Sequence, residues 1–394
     1  MSSPARPLNI LDLRDTYEIG GPGKTILETW KAIDPARFRL HLGVFLASGE
    51  AETSPFIDAA RQAGMPVHLI RGRNQYDLRM VGQVARLVRS LGIDVLHAHE
   101  VKSDVITCLA RMLQPVPTVT TMHGWIGNGS KQRAMIALDK WVARRFDRVI
   151  AVSEPIRDAL LASGVPAARI VLLHNGIVLS RYARTGRRGL LAALAGRAIE
   201  GPVVTSIGRL SPEKGHLDLV DALATVRTAG HPITAFLVGD GPARPAIEAR
   251  IRALGLEQSV LLPGYLDQPQ RVLEETDLMV LPSHTEGLPN VVLESLMMDV
   301  PVLATRVGGT PEILVDGVNG RMVPPHAPAS LAQGILEFLE APEQWRAMAR
   351  AGRAVVERQF DFTQRTRRLE ALYEEVAADR VGRSGSHASG GRAA

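Results

Sequence analysis

The feature that most limits the folds open to this chain is a rhythm. Short apolar runs alternate with amphipathic segments, twice over, with one interruption. In the first half the runs are LNILDL (8–13), LHLGVFL (40–46), VHLI (67–70), DVLHAH (94–99), TVTTMH (118–123), RVIAVS (148–153) and IVLLHNG (170–176). Apolar runs this short, bounded by turn residues, read as strands buried on both faces. The intervals, such as 55–63 and 80–91, have helical spacing. A second series comprises VVTSIGRL (203–210), ITAFLVG (233–239), SVLLPG (259–264), LMVLPS (278–283) and VPVLAT (300–305), with helix-like intervals at 243–254 and 291–298. The expected fold class is α/β: two Rossmann-like domains with a cleft between them, and ligands at the carboxyl ends of the strands.

Residues 1–180 form the first expected domain and 203–359 the second. Between them, RYARTGRRGLLAALAGRAIEGP (181–202) collects Arg, Gly and Ala and reads as the interdomain linker. FDFTQRTRRLEALYEEV (360–376) reads as an amphipathic helix with Thr363 as N-cap, returning towards the first domain. The Gly-, Ser- and Ala-rich stretch 377–394 is expected to be a disordered tail.

Composition narrows the class further. No apolar run approaches the ~18 residues that span a bilayer, and Asp12 and Arg14 interrupt the N-terminal apolar run before it could serve as a secretory signal. A single cysteine, Cys108, excludes an internal disulfide framework. The expectation is a cytoplasmic protein. Residues 1–180 hold 22 Lys/Arg against 16 Asp/Glu (+6), whereas residues 201–380 hold 17 against 24 (−7), so an anionic partner is expected at the first half.

EIGGPGKT (18–25) imitates a phosphate-binding P-loop, but Glu18 stands where that motif needs its first glycine. Gly20, Gly21 and Gly23 follow the first strand and precede a helix, where a bare backbone lets a ligand come close and helix N–H groups favour an anion. A dinucleotide-binding Gly-x-Gly-x-x-Gly turn is excluded because Ile26 occupies its last position.

The second half is more specific. SIGRLSPEKG (206–215) ends a strand and sets Arg209 and Lys214 five residues apart in a loop, two cations suited to a diphosphate. LVGDGP (237–242) is another strand followed by a glycine turn. In PSHTEGLPNVVLESL (282–296), Glu286 stands in a loop and Glu294 lies inside the helix that follows, starting near Pro289. Carboxylates there suit sugar hydroxyls, and the helix N-terminus offers free N–H groups.

In this order and spacing, the glycine loop, TMHG (121–124), VSE (152–154), HNGI (174–177), GRLSPEKG, VGDGP and the Glu286/Glu294 pair resemble the retaining nucleotide-sugar glycosyltransferases of family 4, which have the GT-B fold. The resemblance spans roughly residues 8–376. It implies that Glu294 binds the ribose hydroxyls, that Glu286 faces the donor sugar, and that Arg209 and Lys214 clamp the diphosphate. It assigns backbone contacts to Gly287, Leu288 and Asn290, whereas Pro289 has no N–H to give. Gly20, Gly21 and Gly23 become the loop over phosphate or acceptor, and His123 the residue beside the donor sugar. The catalytic set is then His123, Glu286, Arg209 and Lys214. No cofactor and no catalytic metal are implied. The co-substrate is a nucleotide-diphosphate sugar, by default a UDP-linked hexose or N-acetylhexosamine, with a GDP-sugar open. Closure of the cleft, with 181–202 and the returning helix flanking the hinge, is also implied.

The acceptor is a glycan, a lipid-linked molecule or a small molecule. SKQRAMIALDKWVARRFDR (130–148) reads as a helix with Met135, Leu138 and Val142 on a face that packs on the sheet and a basic remainder. Trp125 and Ile126 precede it, and Trp125, Lys131 and Arg133 are candidate acceptor contacts. One hypothesis places this face on an anionic membrane, at the inner side of the plasma membrane. No nucleic acid is expected. A nucleotide-sugar epimerase of similar architecture and a non-catalytic nucleotide-sugar-binding protein are the alternatives.

Overall fold

The computed structural model describes residues 6–15, 20–74, 77–125 and 130–388. The chain divides into two compact units: Met1–Asn175 with Phe362–Ala394, and Gly176–Asp361.

Unit 1 runs β1 (Leu8–Arg14), α1 (Gly20–Ala32), β2 (Phe38–Leu46), α2 (Pro55–Gln62), β3 (Val67–Arg71), α3 (Arg79–Ser90), β4 (Val95–Ala98), α4 (Val101–Leu113), β5 (Thr118–Met122), α5 (Ser130–Ala143), β6 (Arg148–Ala151), α6 (Glu154–Ala162) and β7 (Ile170–Leu172). Its seven strands pair in parallel in the order β3-β2-β1-β4-β5-β6-β7. Alternate residues of β1 face opposite sides. Ile10 packs with Phe56, Val95, Leu369 and Tyr373, whereas Leu11 and Leu13 pack with Met80, Val84 and Ile106. With both faces covered, the strands are largely apolar, and polar residues within them such as Asp12, His97, Thr120 and Thr121 are buried.

Unit 2 contains α7 (Leu190–Ala195), β8 (Val203–Ile207), α8 (His216–Thr228), β9 (Thr234–Val238), α9 (Arg244–Ala253), β10 (Val260–Gly264), α10 (Pro269–Leu273), β11 (Leu278–Leu281), α11 (Asn290–Met297), β12 (Val302–Thr305), α12 (Thr310–Ile313), β13 (Arg321–Val323), α13 (Pro328–Glu340) and α14 (Pro342–Gln359). Its six parallel strands follow the order β10-β9-β8-β11-β12-β13. Val204, Leu237, Val280 and Leu303 face a core shared with α8 and α13, and Val203, Phe236 and Val238 face the other side. The last helix, α15 (Phe362–Ala388), belongs to unit 1.

Three expectations need correction. Residues 181–202 are not a free linker, because the chain crosses between units at Asn175/Gly176 and most of this segment is built into unit 2. Leu191 is fully buried with Val203, Phe236 and Val272, and the Glu274 and Glu275 carboxylates accept the backbone N–H groups of Thr185, Gly186, Gly189 and Leu190. The returning helix starts at Phe362, so Thr363 lies in its first turn rather than at its cap. It also continues to Ala388, past the expected end at Val376; helix-forming alanines follow, and Arg148 pairs with both Glu375 and Asp379. Residues 389–394 of the expected tail lie outside the described residues.

Candidate active site

In each sheet the strand order reverses once, between β1 and β4 in unit 1 and between β8 and β11 in unit 2. Loops leaving the carboxyl ends of such a strand pair diverge to opposite faces and leave a crevice, the usual ligand site of an open α/β sheet. The sequence-derived candidates Arg209, Lys214 and Glu286 lie just beyond β8 and β11. His123 directly follows β5, the neighbour of β4.

In unit 2, the loop after β8 carries Arg209 and Lys214, and its backbone is tied to the loop after β9. Gly208 N–H donates to Val238 O at 2.9 Å and Leu210 N–H to Asp240 O at 2.9 Å. Arg209 is exposed. Lys214 reaches across to the loop after β11, where its Nζ donates to Glu286 Oε1 at 2.7 Å. Ser283 Oγ donates to the same oxygen at 2.6 Å. The Glu286 side chain is 8% exposed and that of Lys214 25%, so the pair is partly desolvated and its geometry is fixed by two donors.

The loop carrying Glu286 is fixed from below. Gly309 N–H donates to Gly287 O at 2.7 Å, and a Cβ on Gly308 (φ +51) would stand 2.0 Å from Glu286 O. Only glycine fits there. The chain then enters α11 through Pro289, with no side-chain cap at the helix N-terminus. Leu288 is buried, and Asn290 opens the helix. Glu294 lies one turn in, 4% exposed, and its Oε1 accepts the Tyr182 hydroxyl at 2.8 Å. Two neighbouring loops thus present a carboxylate, a lysine and a helix N-terminus, with a second carboxylate on the helix behind them. This combination of anion-binding and hydroxyl-binding groups is what a sugar joined to a diphosphate requires.

Unit 1 carries a buried polar cluster at its strand reversal. His99 Nε2 lies 3.0 Å from Asp12 Oδ1, and His99 Nδ1 lies 3.4 Å from His123 Nε2, with the two rings stacked. His97 is held by Tyr373 OH at 2.7 Å and Thr121 Oγ1 at 2.8 Å. Burial drives all three imidazoles down, His99 to about 3 and His97 and His123 well below the ordinary value; neighbouring cationic groups add to the effect. Burial likewise raises Asp12 to about 6 against the pull of His97 and Arg365, and lowers buried Arg365 to about 10. His123 is therefore a neutral hydrogen-bonding group at neutral pH, not a cation.

Gly20, Gly21 and Gly23 form the first turn of α1 itself rather than a loop before it. Gly23 has a packing role: a Cβ there would stand 3.0 Å from Arg14 Nη1 and 3.2 Å from the Phe56 ring, against which the guanidinium lies. Trp125 donates its indole N–H to Asp139 at 2.8 Å and lies under Lys140. Lys131 and Arg133 fall in the first turn of α5, with Arg133 exposed, while Ile126 to Gly129 lie outside the described residues. Of the expected inward face of α5, only Val142 is buried. Met135 and Leu138 are exposed, whereas Asp139, Val142 and Ala143 are buried, because Asp139 is drawn in by Trp125 and Asp104. Sequence reasoning missed Tyr182, Ser283 and Gly308. The Ser-x-x-Glu spacing of 283–286 and the Gly-Gly pair at 308–309 were the available signals.

The description "Glycosyltransferase Family 4" matches residues 19–181, and "Glycosyl transferases group 1" matches residues 196–355. The chain belongs to the family 4-type glycosyltransferases, with the GT-B fold. This glycosyltransferase is 29% identical over 287 residues to the glycogen synthase of Mycobacterium tuberculosis, covering 70% of this chain and 67% of that protein. It is 30% identical over 254 residues to the alpha-D-kanosaminyltransferase of Streptomyces kanamyceticus, covering 62% and 66%. Among solved structures, Anabaena Alr3699/HepE in complex with UDP-glucose aligns with a TM-score of 0.83 at 25% identity, over 93% of this chain and 100% of that one.

Proposed function

We propose that this glycosyltransferase moves a hexose or N-acetylhexosamine from a UDP-sugar to an acceptor hydroxyl with retention of anomeric configuration. The observation that carries the reading is the arrangement in unit 2: Lys214 and Glu286 joined at 2.7 Å, with Glu294 on the helix that the same loop enters. The UDP-glucose bound by the HepE neighbour supports the donor class. Family membership favours a transferase over an epimerase.

In this mechanism Glu294, oriented by Tyr182, takes the ribose hydroxyls. Arg209 and Lys214 bind the diphosphate, together with the N–H groups of Gly287, Leu288 and Asn290. Departure of the nucleotide builds negative charge on the β-phosphate, and the two cations stabilise it where it forms. The departing phosphate oxygen takes the acceptor's proton on the face it leaves, so no separate base is needed. Glu286 holds sugar hydroxyls; within unit 1, the neutral imidazole of His123 offers a hydrogen bond to a hydroxyl, and the exposed Gly20 and Gly21 at the start of α1 admit an anion or acceptor. A thermal-shift panel of UDP-, GDP- and ADP-sugars tests the donor. Stabilisation by UDP-sugars that is lost in Glu294→Ala supports the reading, and no response to any sugar nucleotide removes it.

For the acceptor, the proposed site is a face of unit 1 that meets an anionic membrane carrying a lipid-linked molecule, with Trp125, Lys131 and Arg133 nearby. Helix α4 adjoins both α3 and α5, and Met112 and Leu113 on α4 and Met135, Leu138 and Trp141 on α5 are exposed. Arg86, Arg89 and Arg133 on these helices are also exposed, whereas the carboxylates Asp104 and Asp139 are buried. Among the described residues no helix is long and apolar enough to cross a membrane. Exposed apolar side chains set among arginines suit attachment at a lipid surface instead. Sedimentation with anionic but not neutral liposomes is expected; equal binding to both, or to neither, contradicts it.

A further inference from the structure

Asp218, His284 and His326 come from separate parts of unit 2: the first turn of α8, the loop after β11 and the turn between β13 and α13. Each offers one ligand atom, and these atoms lie within 4.8 Å of one another. His284 Nε2 is 2.9 Å from Asp218 Oδ2, and the ring of His326 lies against that of His284 with centroids 3.7 Å apart. Two ligand atoms on a tetrahedral zinc stand about 3.3 Å apart, given bonds of about 2.0–2.1 Å. The histidine–carboxylate pair is already near that spacing. His326 is exposed, so its ring can turn to complete the site without disturbing the core.

Two backbone features shape this place. Gly215 has φ +65, and a Cβ there would stand 2.0 Å from Pro282 O and 3.1 Å from His284 Nε2, so glycine leaves this side of the imidazole open. His326 itself has φ +57, a conformation disfavoured for a residue with a Cβ. A second group, Asp12, His97 and His99 in unit 1, has similar spacing. There both His97 nitrogens are engaged by Tyr373 and Thr121, and buried Arg365 acts on Asp12, which disfavours a cation.

We propose that Asp218, His284 and His326 bind a divalent transition-metal ion, with Zn²⁺ the best match to two imidazole nitrogens and one carboxylate oxygen, and with water completing the shell. The ion takes the lone pair of His284 Nε2, so the neutral ring keeps its proton on Nδ1. The site is a brace rather than part of the transfer chemistry. His284 N–H donates to Glu213 O at 2.7 Å, and two of the three ligands, Asp218 and His284, stand beside the loop segments that carry Lys214 and Glu286. An ion here would fasten those two loops together. That consequence rests on the donor-site reading; the metal binding does not.

The test uses the full chain after chelator treatment, titrated with ZnCl₂ by calorimetry and followed by thermal unfolding, with MgCl₂ as control. One Zn²⁺ per chain is expected, with a Tm rise of about 2–5 °C near saturation and no response to Mg²⁺. His326→Gly removes a ligand while supplying the residue that suits φ +57, so the fold should survive. Its Zn²⁺ affinity, and that of Asp218→Asn, should fall about tenfold or more. Absence of a Zn²⁺ response in the wild type overturns the proposal, as does unchanged affinity in both variants. A Zn²⁺ response in a chain that ignores every sugar nucleotide would uphold the metal site and remove the donor reading.

Discussion

The Tyr182 hydroxyl donates to Glu294 Oε1 at 2.8 Å, and both residues are buried in unit 2. The bond sets the direction in which the carboxylate faces. Tyr182→Phe removes the donor and leaves the ring, so the fold should persist. A hydrogen bond to a charged group contributes about 1.5–3 kcal/mol. The apparent Kd for a UDP-sugar should therefore rise roughly 10-fold or more by calorimetry. An unchanged Kd would mean that Tyr182 does not orient the carboxylate for the ligand.

Gly308 is expected to be among the least replaceable residues of unit 2. A methyl group there would overlap Glu286 O and sit on a left-handed backbone. Gly308→Ala should cost about 2 kcal/mol or more in urea unfolding, since strain and displacement act together. It should also weaken donor binding, because the loop it displaces carries Glu286 and Gly287. A variant of wild-type stability would contradict the close approach.

Asp104 and Asp139 form a buried carboxyl pair, with Asp104 Oδ1 accepting the Thr120 hydroxyl at 2.7 Å. Burial, then the charge of Asp139, holds Asp104 well above the ordinary carboxylate range. A raised native pKa means that the fold binds a proton the unfolded chain releases. That stability is complete at low pH and is lost as pH rises through the native value. Asp104→Asn does not titrate, so its Tm relative to wild type should improve as pH rises above the ordinary carboxylate range. A constant difference, or improvement towards acid, would contradict the shared proton.

His97, His99 and His123 should stay neutral at pH 5.5, where an ordinary imidazole is mostly charged. Their lowered native values give stability that is present above about 6.5 and lost as pH falls. Asp12, raised to about 6, takes up a proton in the fold over part of that range and offsets some of the loss. Imidazole nitrogen shifts in NMR, followed from pH 7.5 to 4.5, check this. Midpoints near 6.5 for all three would mean that the cluster is open to water.

How far the fold was legible follows from burial. The strands covered on both faces announced themselves as continuous apolar runs. β13 did not, because Arg321–Val323 is three residues at the sheet edge with a partly exposed arginine. The segment 181–202 was misread because its Arg, Gly and Ala hide one anchor, Leu191, whose partners are remote in sequence. On α5, apolar spacing placed Val142 correctly but Met135 and Leu138 on the wrong side, since a buried acid, Asp139, sets the orientation. In the candidate site, Arg209, Lys214 and Glu286 stand in loops after strand ends, where a sequence reading looks for ligand contacts, while Glu294 and the individual roles rest on the family resemblance. Tyr182 was not, because its partner is 112 residues away.

The central claim is that unit 2 holds a sugar nucleotide through Glu294 and the Arg209/Lys214 loop. Calorimetric titration of a UDP-sugar into wild type, Glu294→Ala and Lys214→Met tests it most directly. Saturable binding by the wild type, weakened about tenfold or more in each variant at unchanged secondary structure, is the expected result. Equal affinity in all three proteins would place the nucleotide elsewhere and end the account.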